Sequence, residues 1–242
     1  MYDFTICIAG LPIGIEALYP YTKALCEGYY TDDPPVFTIR STKETIMRED
    51  SSLEGGMGVA PGYLESLAIY RQIAERLPEY NCVLVHGSSI AVDGEGYLFA
   101  AKSGTGKSTH ALLWMRKFGD ARAIMINDDK PILQLCDDGI YACGTPWNGK
   151  HRRGKNVRFP LKAICFMQRA EDTSAEPLDF IKSYALLMNQ TYRPEDPAKF
   201  LKTTDILDQI VNRVFTCRLH FNNLKPDAAD KSYEAINREI EK

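Results

Sequence analysis

Between Lys102 and Thr109 the chain reads Lys-Ser-Gly-Thr-Gly-Lys-Ser-Thr. Those residue types in that order suit the wrapping of backbone amides around a chain of phosphates. Glycine lets the backbone approach phosphate oxygens with no Cβ in the way, so Gly104 and Gly106 stand where the wrap is tightest. Lys107 follows as the cation for the β- and γ-phosphate oxygens, and Ser108 as the hydroxyl for Mg²⁺. A helix beginning near Lys107 would turn its unpaired N–H groups and positive end toward the same anion. Ser103, Thr105 and Thr109 complete the set expected to touch a nucleotide, ATP or another nucleoside triphosphate. The pattern G-x-x-x-x-G-K-[ST] begins with glycine and here begins with Ala101, a methyl that a turn with ordinary dihedrals tolerates. A plain polar turn would also use Ser-Gly-Thr-Gly, but it would have no need of Lys-Ser-Thr behind it.

A second group of chemical residues follows an apolar run. Arg122 to Asn127 ends in Asp128-Asp129-Lys130, and strands of open α/β sheets present their carboxyl ends to the ligand crevice. Two adjacent aspartates allow two roles, in which one binds Mg²⁺ directly or through water and the other accepts a proton from an attacking hydroxyl. Further on, Gly144 to Lys155 is dense in glycine and cations. Its Lys150, Arg152 and Arg153 suit a lid over a triphosphate or a grip on an anionic substrate, with a solvated basic loop as an equal alternative.

Elements must hold these groups in place. Tyr97 to Ala100 reads as a strand running into the loop, and Ala111, Leu112, Met115 and Phe118 give helical spacing after it. Cys82 to Val85 reads as a buried strand ending at His86-Gly87, Ser88 to Val92 continues it, and Asp93-Gly94-Glu95-Gly96 turns a hairpin. Ile132 to Leu135 and Ile140 to Cys143 flank another hairpin turn at Asp137-Asp138-Gly139. Leu161 to Gln168 and Phe215 to Leu219 read as strands; Tyr63 to Leu77, Phe180 to Met188, Pro197 to Arg213 and Lys225 to Lys242 read as helices. Nearer the start, Phe4 to Ala9 is strand-like, Leu11 to Gly14 breaks it, Val36 to Arg40 is a second strand, and Gly55 to Gly58 is a flexible connection. The expected organisation is an N-terminal α/β lobe over 1–80 and a nucleotide-binding domain over 81–242, or one continuous domain.

The chain of 242 residues is ordinary in composition, 45% hydrophobic and 25% charged, with a net charge of −3. That balance gives no electrostatic footprint for nucleic acid or an anionic membrane. The seven cysteines are scattered, without C-x-x-C or histidine at ligand spacing, so they read as reduced core thiols and a cytoplasmic location is expected. No long apolar run and no signal-peptide layout accompany them.

Together, His86, Ser103 to Ser108 and Asp128-Asp129 resemble the HPr kinase/phosphorylase family and, more distantly, the phosphate-loop region of PEP carboxykinases. That family carries a His-Gly ahead of a loop reading Gly-Asp-Ser-Gly-x-Gly-Lys-Ser, then an Asp-Asp pair at the end of the next strand; here His86 lies 15 positions before Ala101. The resemblance covers residues 82 to 135. It implies a mixed α/β sheet with flanking helices and an ATP- and Mg²⁺-dependent transfer of phosphate to a hydroxyl. Lys107 and Ser108 would serve phosphate and metal, one of Asp128 and Asp129 would be the base, and His86 would position or polarise that pair. The family's acidic loop residue is Lys102 here and its arginine-bearing substrate signature is absent, which directs the acceptor away from HPr. A hydroxyl on a small molecule or on a serine of a peptide or protein is expected instead. Gly144 to Lys150 with Asn189 to Pro194 look like a separate branch of HPr-kinase-like proteins, and the family's oligomers make a homo-oligomer worth testing. Two rival classes are a regulatory module that binds nucleotide without transferring phosphate, and a transporter-type ATPase subunit. The second lacks a Leu-Ser-Gly-Gly-Gln-like segment and an Asp-Glu after the strand.

Overall fold

In the computed structural model, which describes residues 1–52, 59–149 and 151–242, the chain divides into two units, Met1–Leu77 and Pro78–Lys242. The first opens with a hairpin of β1 (Tyr2–Ile8) and β2 (Leu11–Ala17). Ala9 and Gly10 between them both have positive φ, 52° and 72°, the conformation that matches the twist of two-residue hairpins. The expected break at Leu11 to Gly14 is therefore strand. Pro12 does not interrupt it: opposite Pro12, the Cys7 amide points away from β2 and donates to Tyr29 O at 2.7 Å, so no ladder bond is asked of the missing N–H. Helix α1 (Pro20–Leu25) follows, then β3 (Phe37–Arg40), parallel to β2, and helices α2 (Lys43–Ser52) and α3 (Pro61–Arg76). Pro61 starts α3, which buries Leu64, Ala68, Ile69 and Ile73 on one stripe. Buried Glu65 accepts from the Leu18 and Tyr19 amides at 2.5 and 3.0 Å. The glycine run 55–58 lies outside the described residues.

Among the described residues the second unit is built on nine strands: β4 (Cys82–Leu84), β5 (Ser88–Val92), β6 (Glu95–Ala100), β7 (Ala123–Asn127), β8 (Ile132–Leu135), β9 (Ile140–Cys143), β10 (Arg158–Arg169), β11 (Ser174–Pro177) and β12 (Phe215–Phe221). Helix α4 (Lys107–Phe118) joins β6 to β7, α5 (Phe180–Met188) and α6 (Pro197–Arg213) join β11 to β12, and α7 (Ala228–Ile240) follows β12. The order across the sheet is β4-β8-β9-β10-β6-β5-β7, with β12 also against β10 and β11 against β12. Strand β10 belongs to both halves. Its first residues, Arg158 to Pro160, run antiparallel to β9; from Leu161 it runs parallel to β6 and from Ala163 parallel to β12, with a register shift between Leu161 and Ala163. The result is a curled mixed sheet with flanking helices, an α/β fold.

Both faces of the central strands are covered, which is why β6 and β10 are apolar without alternation. Leu98, Ile164 and Phe166 face Leu187, Ile206, Leu207 and Ile210 of α5 and α6. Tyr97, Phe99 and Cys165 face Ala111 and Trp114 of α4 and Ile236 of α7. The buried face of α4 is Lys107, His110, Ala111 and Trp114, while Leu112, Met115 and Phe118 are only partly covered.

The expectation that β5 continues β4 is corrected. β4 pairs with β8 at one end of the sheet and β5 lies between β6 and β7, so Val85 to Gly87 carry the chain across. Gly87 is required there, since a Cβ would stand 2.9 Å from Phe99 O and 2.7 Å from Leu98 Cδ1. No helix among the described residues is long and apolar enough to cross a membrane.

Candidate functional site

Strand directions decide what meets what. β10 and β12 run parallel to β6, while β5 is antiparallel to both β6 and β7, so β7 also runs with β6. The carboxyl ends of β6, β7, β10 and β12 and the amino end of β5 therefore share one edge. The segment 101–106 leaves β6 there, Asp128-Asp129 leaves β7, Arg169 ends β10, Asn223 follows β12, and His86 precedes β5.

Gly104 and Gly106 take φ of +76° and +115°, conformations that cost a side-chain-bearing residue dearly. Ala101 is not among the positive-φ residues, so its methyl is accommodated without strain. Lys107, 8% exposed at the first position of α4, donates through Nζ to Ala101 O at 2.9 Å and Lys102 O at 3.2 Å. Burial, and then Lys130, hold its pKa below the ordinary lysine value against the pull of Asp129 and Asp128. Inside the loop, the Thr105 hydroxyl donates to Lys102 O at 2.8 Å. From outside, Arg169 clamps it: Nε donates to Thr105 O at 3.0 Å and Nη2 to Gly104 O at 2.7 Å.

The helix side is fixed by a relay. Asn223 Nδ2 donates to Gly106 O at 3.1 Å, which turns its Oδ1 to His110 Nδ1 at 2.7 Å. His110 Nδ1 thus carries the proton, and its buried Nε2 has no hydrogen-bond partner, lying among the rings of Phe99, Trp114 and Phe221. Burial lowers the His110 pKa to about 4, against a small upward pull from Asn223.

The two aspartates have different surroundings. Asp128 is 5% exposed and accepts from Ser88 Oγ at 2.7 Å. Asp129 is open to the cavity, its side chain 39% exposed, with Oδ1 3.7 Å from His86 Nε2. Asn127 shapes the turn that separates them: its Oδ1 accepts from the amides of Asp129 and Lys130 at 2.8 and 2.6 Å, and its Nδ2 donates to Thr145 O and Oγ1 at 3.1 and 3.0 Å. His86 has its pKa lowered by burial first and then by Lys107 and Lys130, with Asp129 opposing.

One cavity of about 510 Å³ gathers His86, Ser103, Gly104, Gly106, Lys107, Ser108, Thr109, Asp128, Asp129, Gly149 and Arg169. Thr105, expected to touch the nucleotide, does not line this cavity. Arg152 and Arg153 are exposed and do not line this cavity; Arg152 instead closes a turn, its amide on Gly149 O at 2.9 Å. Lys150 lies outside the described residues. The cation that the structure does bring to the loop is Arg169, and the partners Ser88, Asn127, Asn223 and Gly149 come with it. Arg169 had a signal, since it directly follows the expected strand Leu161 to Gln168 and the carboxyl-end rule that selects Asp128 selects it equally. Asn223, remote from the loop in sequence, had none.

No protein-family model and no curated protein matches this chain. Among solved structures it is similar to an HPr(Ser) kinase/phosphatase from Coxiella burnetii, at 11% identity and a TM-score of 0.40, over 66% of this chain and 99% of that one. A likeness so distant carries no argument about the site, which stands on its own geometry.

Proposed function

We propose that this protein is an ATP- and Mg²⁺-dependent kinase that transfers the γ-phosphoryl group to a hydroxyl, on a small molecule or on a serine of a peptide or protein. One observation carries the reading: a left-handed glycine loop, a buried lysine, a helix amino terminus, a carboxylate pair and a histidine all line a single cavity. The amides of residues 103 to 108 and Lys107 would bind the triphosphate, with Lys107 exchanging the carbonyls of Ala101 and Lys102 for phosphate oxygens. The donor set fits Mg²⁺, a hard cation that takes one or two carboxylates and completes its shell with phosphate and water. Ser108 and Asp128, oriented by Ser88, would hold it. When bound, the ion neutralises charge on the phosphate oxygens.

Asp129 is the base in this reading. It is the more accessible carboxylate and lies beside His86, so a hydroxyl entering the cavity gives its proton to Asp129 as its oxygen attacks phosphorus. His86 stands beside the Asp129 carboxylate, 3.7 Å away, and its lowered pKa works against a proton there that would neutralise the base. Positioning and charge stabilisation supply the remaining rate.

Titration calorimetry of Mg-ATP into wild type and Lys107→Ala tests the nucleotide half. Removing a charge-assisted contact of about 2–3 kcal/mol weakens binding roughly 30- to 150-fold. Equal affinity in both proteins would sink the loop as the triphosphate site.

A further inference from the structure

A second and larger cavity, about 1120 Å³, adjoins the first along the loop. It shares Ser103, Gly104 and Arg169 with the smaller one, but Ser108 and Thr109 line only the smaller and Gln190 and Arg218 only the larger. Its charge is one-sided: Lys102, Arg169 and Arg218 line it, and no carboxylate does among the described residues, in a chain whose net charge is −3.

Arg218 is the group best placed to receive an anion. Among the described residues its Nη1 meets a neutral amide oxygen, Gln168 Oε1, at the long distance of 3.4 Å. Glu176 stands opposite Arg218 in the β11–β12 ladder, yet its Oε2 lies 3.6 Å from His220 Nε2. Arg169 spends Nε and Nη2 on the loop carbonyls and adds positive field over them. Leu186 gives the cavity an apolar wall. Gln190 leads to the chemical centre, because its carbonyl accepts from the His86 amide at 2.7 Å and its side chain hydrogen-bonds the His86 ring.

We infer that this cavity is the acceptor site and that the acceptor is a hydroxyl compound carrying an anionic group, a carboxylate or a phosphate, held by Arg218 while its hydroxyl reaches Asp129. The inference rests on the kinase reading and adds to it that the nucleoside leaves the loop past Ser108 and Thr109, which line only the smaller cavity, so that the larger one remains for the acceptor. Transfer is balanced: the acceptor O–H bond and the bond from the γ-phosphorus to its bridging oxygen break, a new P–O bond forms, the proton goes to Asp129, and the nucleoside diphosphate leaves.

Three probes that share one vicinal diol test this: glycerol, D-glycerate and glycerol 3-phosphate. Each is titrated into the full-length protein saturated with Mg²⁺ and a non-hydrolysable ATP analogue, as wild type and as Arg218→Gln. A charge-assisted contact predicts that at least one anionic probe binds about tenfold or more tightly than glycerol, and that Arg218→Gln reduces this to within about twofold. The two anions distinguish carboxylate from phosphate recognition. Arg218→Lys, with charge but no planar fork, retains part of the preference. Glycerol binding as well as the anions, absence of binding by both anions, or a preference that survives Arg218→Gln would overturn the assignment. Failure of the kinase reading looks different: the analogue itself would not bind, or anions would bind through Arg218 while no phosphate moved from ATP.

Discussion

At the scale of the residue, environment rather than type assigns the roles. Asp128 and Asp129 are adjacent, yet one is buried on Ser88 and the other faces the cavity beside His86, because Asn127 hydrogen-bonds both following amides. His110 offers a prediction about stability. Its pKa is about 4 in the folded chain against an ordinary 6.5, so between those values the unfolded chain binds a proton that the folded chain refuses. Its contribution to stability is therefore whole above pH 6.5 and is lost as pH falls toward 4, by on the order of 3 kcal/mol. Urea unfolding at pH 7 and pH 4.5 checks it: wild type loses more stability between the two than His110→Gln does, and equal losses would contradict the assignment. Sequence made the loop and the aspartate pair legible, because their spacing is local. It left Asn223 and Ser88 hidden, because each meets its partner only across the sheet. The basic loop drew attention by composition alone, and composition says nothing of where Arg152 and Arg153 point.

At the scale of the element, the helices that end in strong signals are legible to the residue. Phe180–Met188 and Pro197–Arg213 follow Asp179 and Asp196, whose side chains accept from the first-turn amides. β2 and β11 were not legible, the first because Pro12 and Gly14 resemble a break, the second because Ser-Ala-Glu-Pro is a polar strand with no apolar face to announce it. Between β9 and β10 the chain passes so close to β7 that a Cβ on Gly144 would stand 1.8 Å from Lys155 O and 2.8 Å from Ile126 O. Gly144→Ala therefore costs about 3 kcal/mol or more. Gly139, where the nearest atom to a Cβ is a Tyr141 ring carbon at 3.6 Å, tolerates the same change. Denaturant midpoints of the two variants measure the contrast, and a mild effect at Gly144 would contradict so close a crossing.

At the scale of the whole molecule, the sheet is the part that sequence could not supply. Local patterns give strands but not that β4 and β5 part company or that β10 serves two half-sheets, since pairing is set by contacts distant along the chain. The curl matters because it brings four strand ends and the start of β5 to one edge. On the kinase reading, a nucleotide bound there would stabilise the fold by mass action, about 2.7 kcal/mol at a hundredfold excess over Kd. For a unit of this size that raises Tm by roughly 5–10 °C, an effect to be sought by calorimetry with and without Mg-ATP and lost in Lys107→Ala. The most direct test of phosphoryl transfer is ³¹P NMR of Mg-ATP incubated with the protein and a panel of anionic and neutral hydroxyl acceptors, beside Asp129→Asn. The kinase account predicts that the γ-phosphorus signal gives way to a phosphomonoester and ADP, and that Asp129→Asn slows this about 10²- to 10⁴-fold. ATP that stays intact with every acceptor, that yields only inorganic phosphate, or that reacts equally fast in the variant would contradict it.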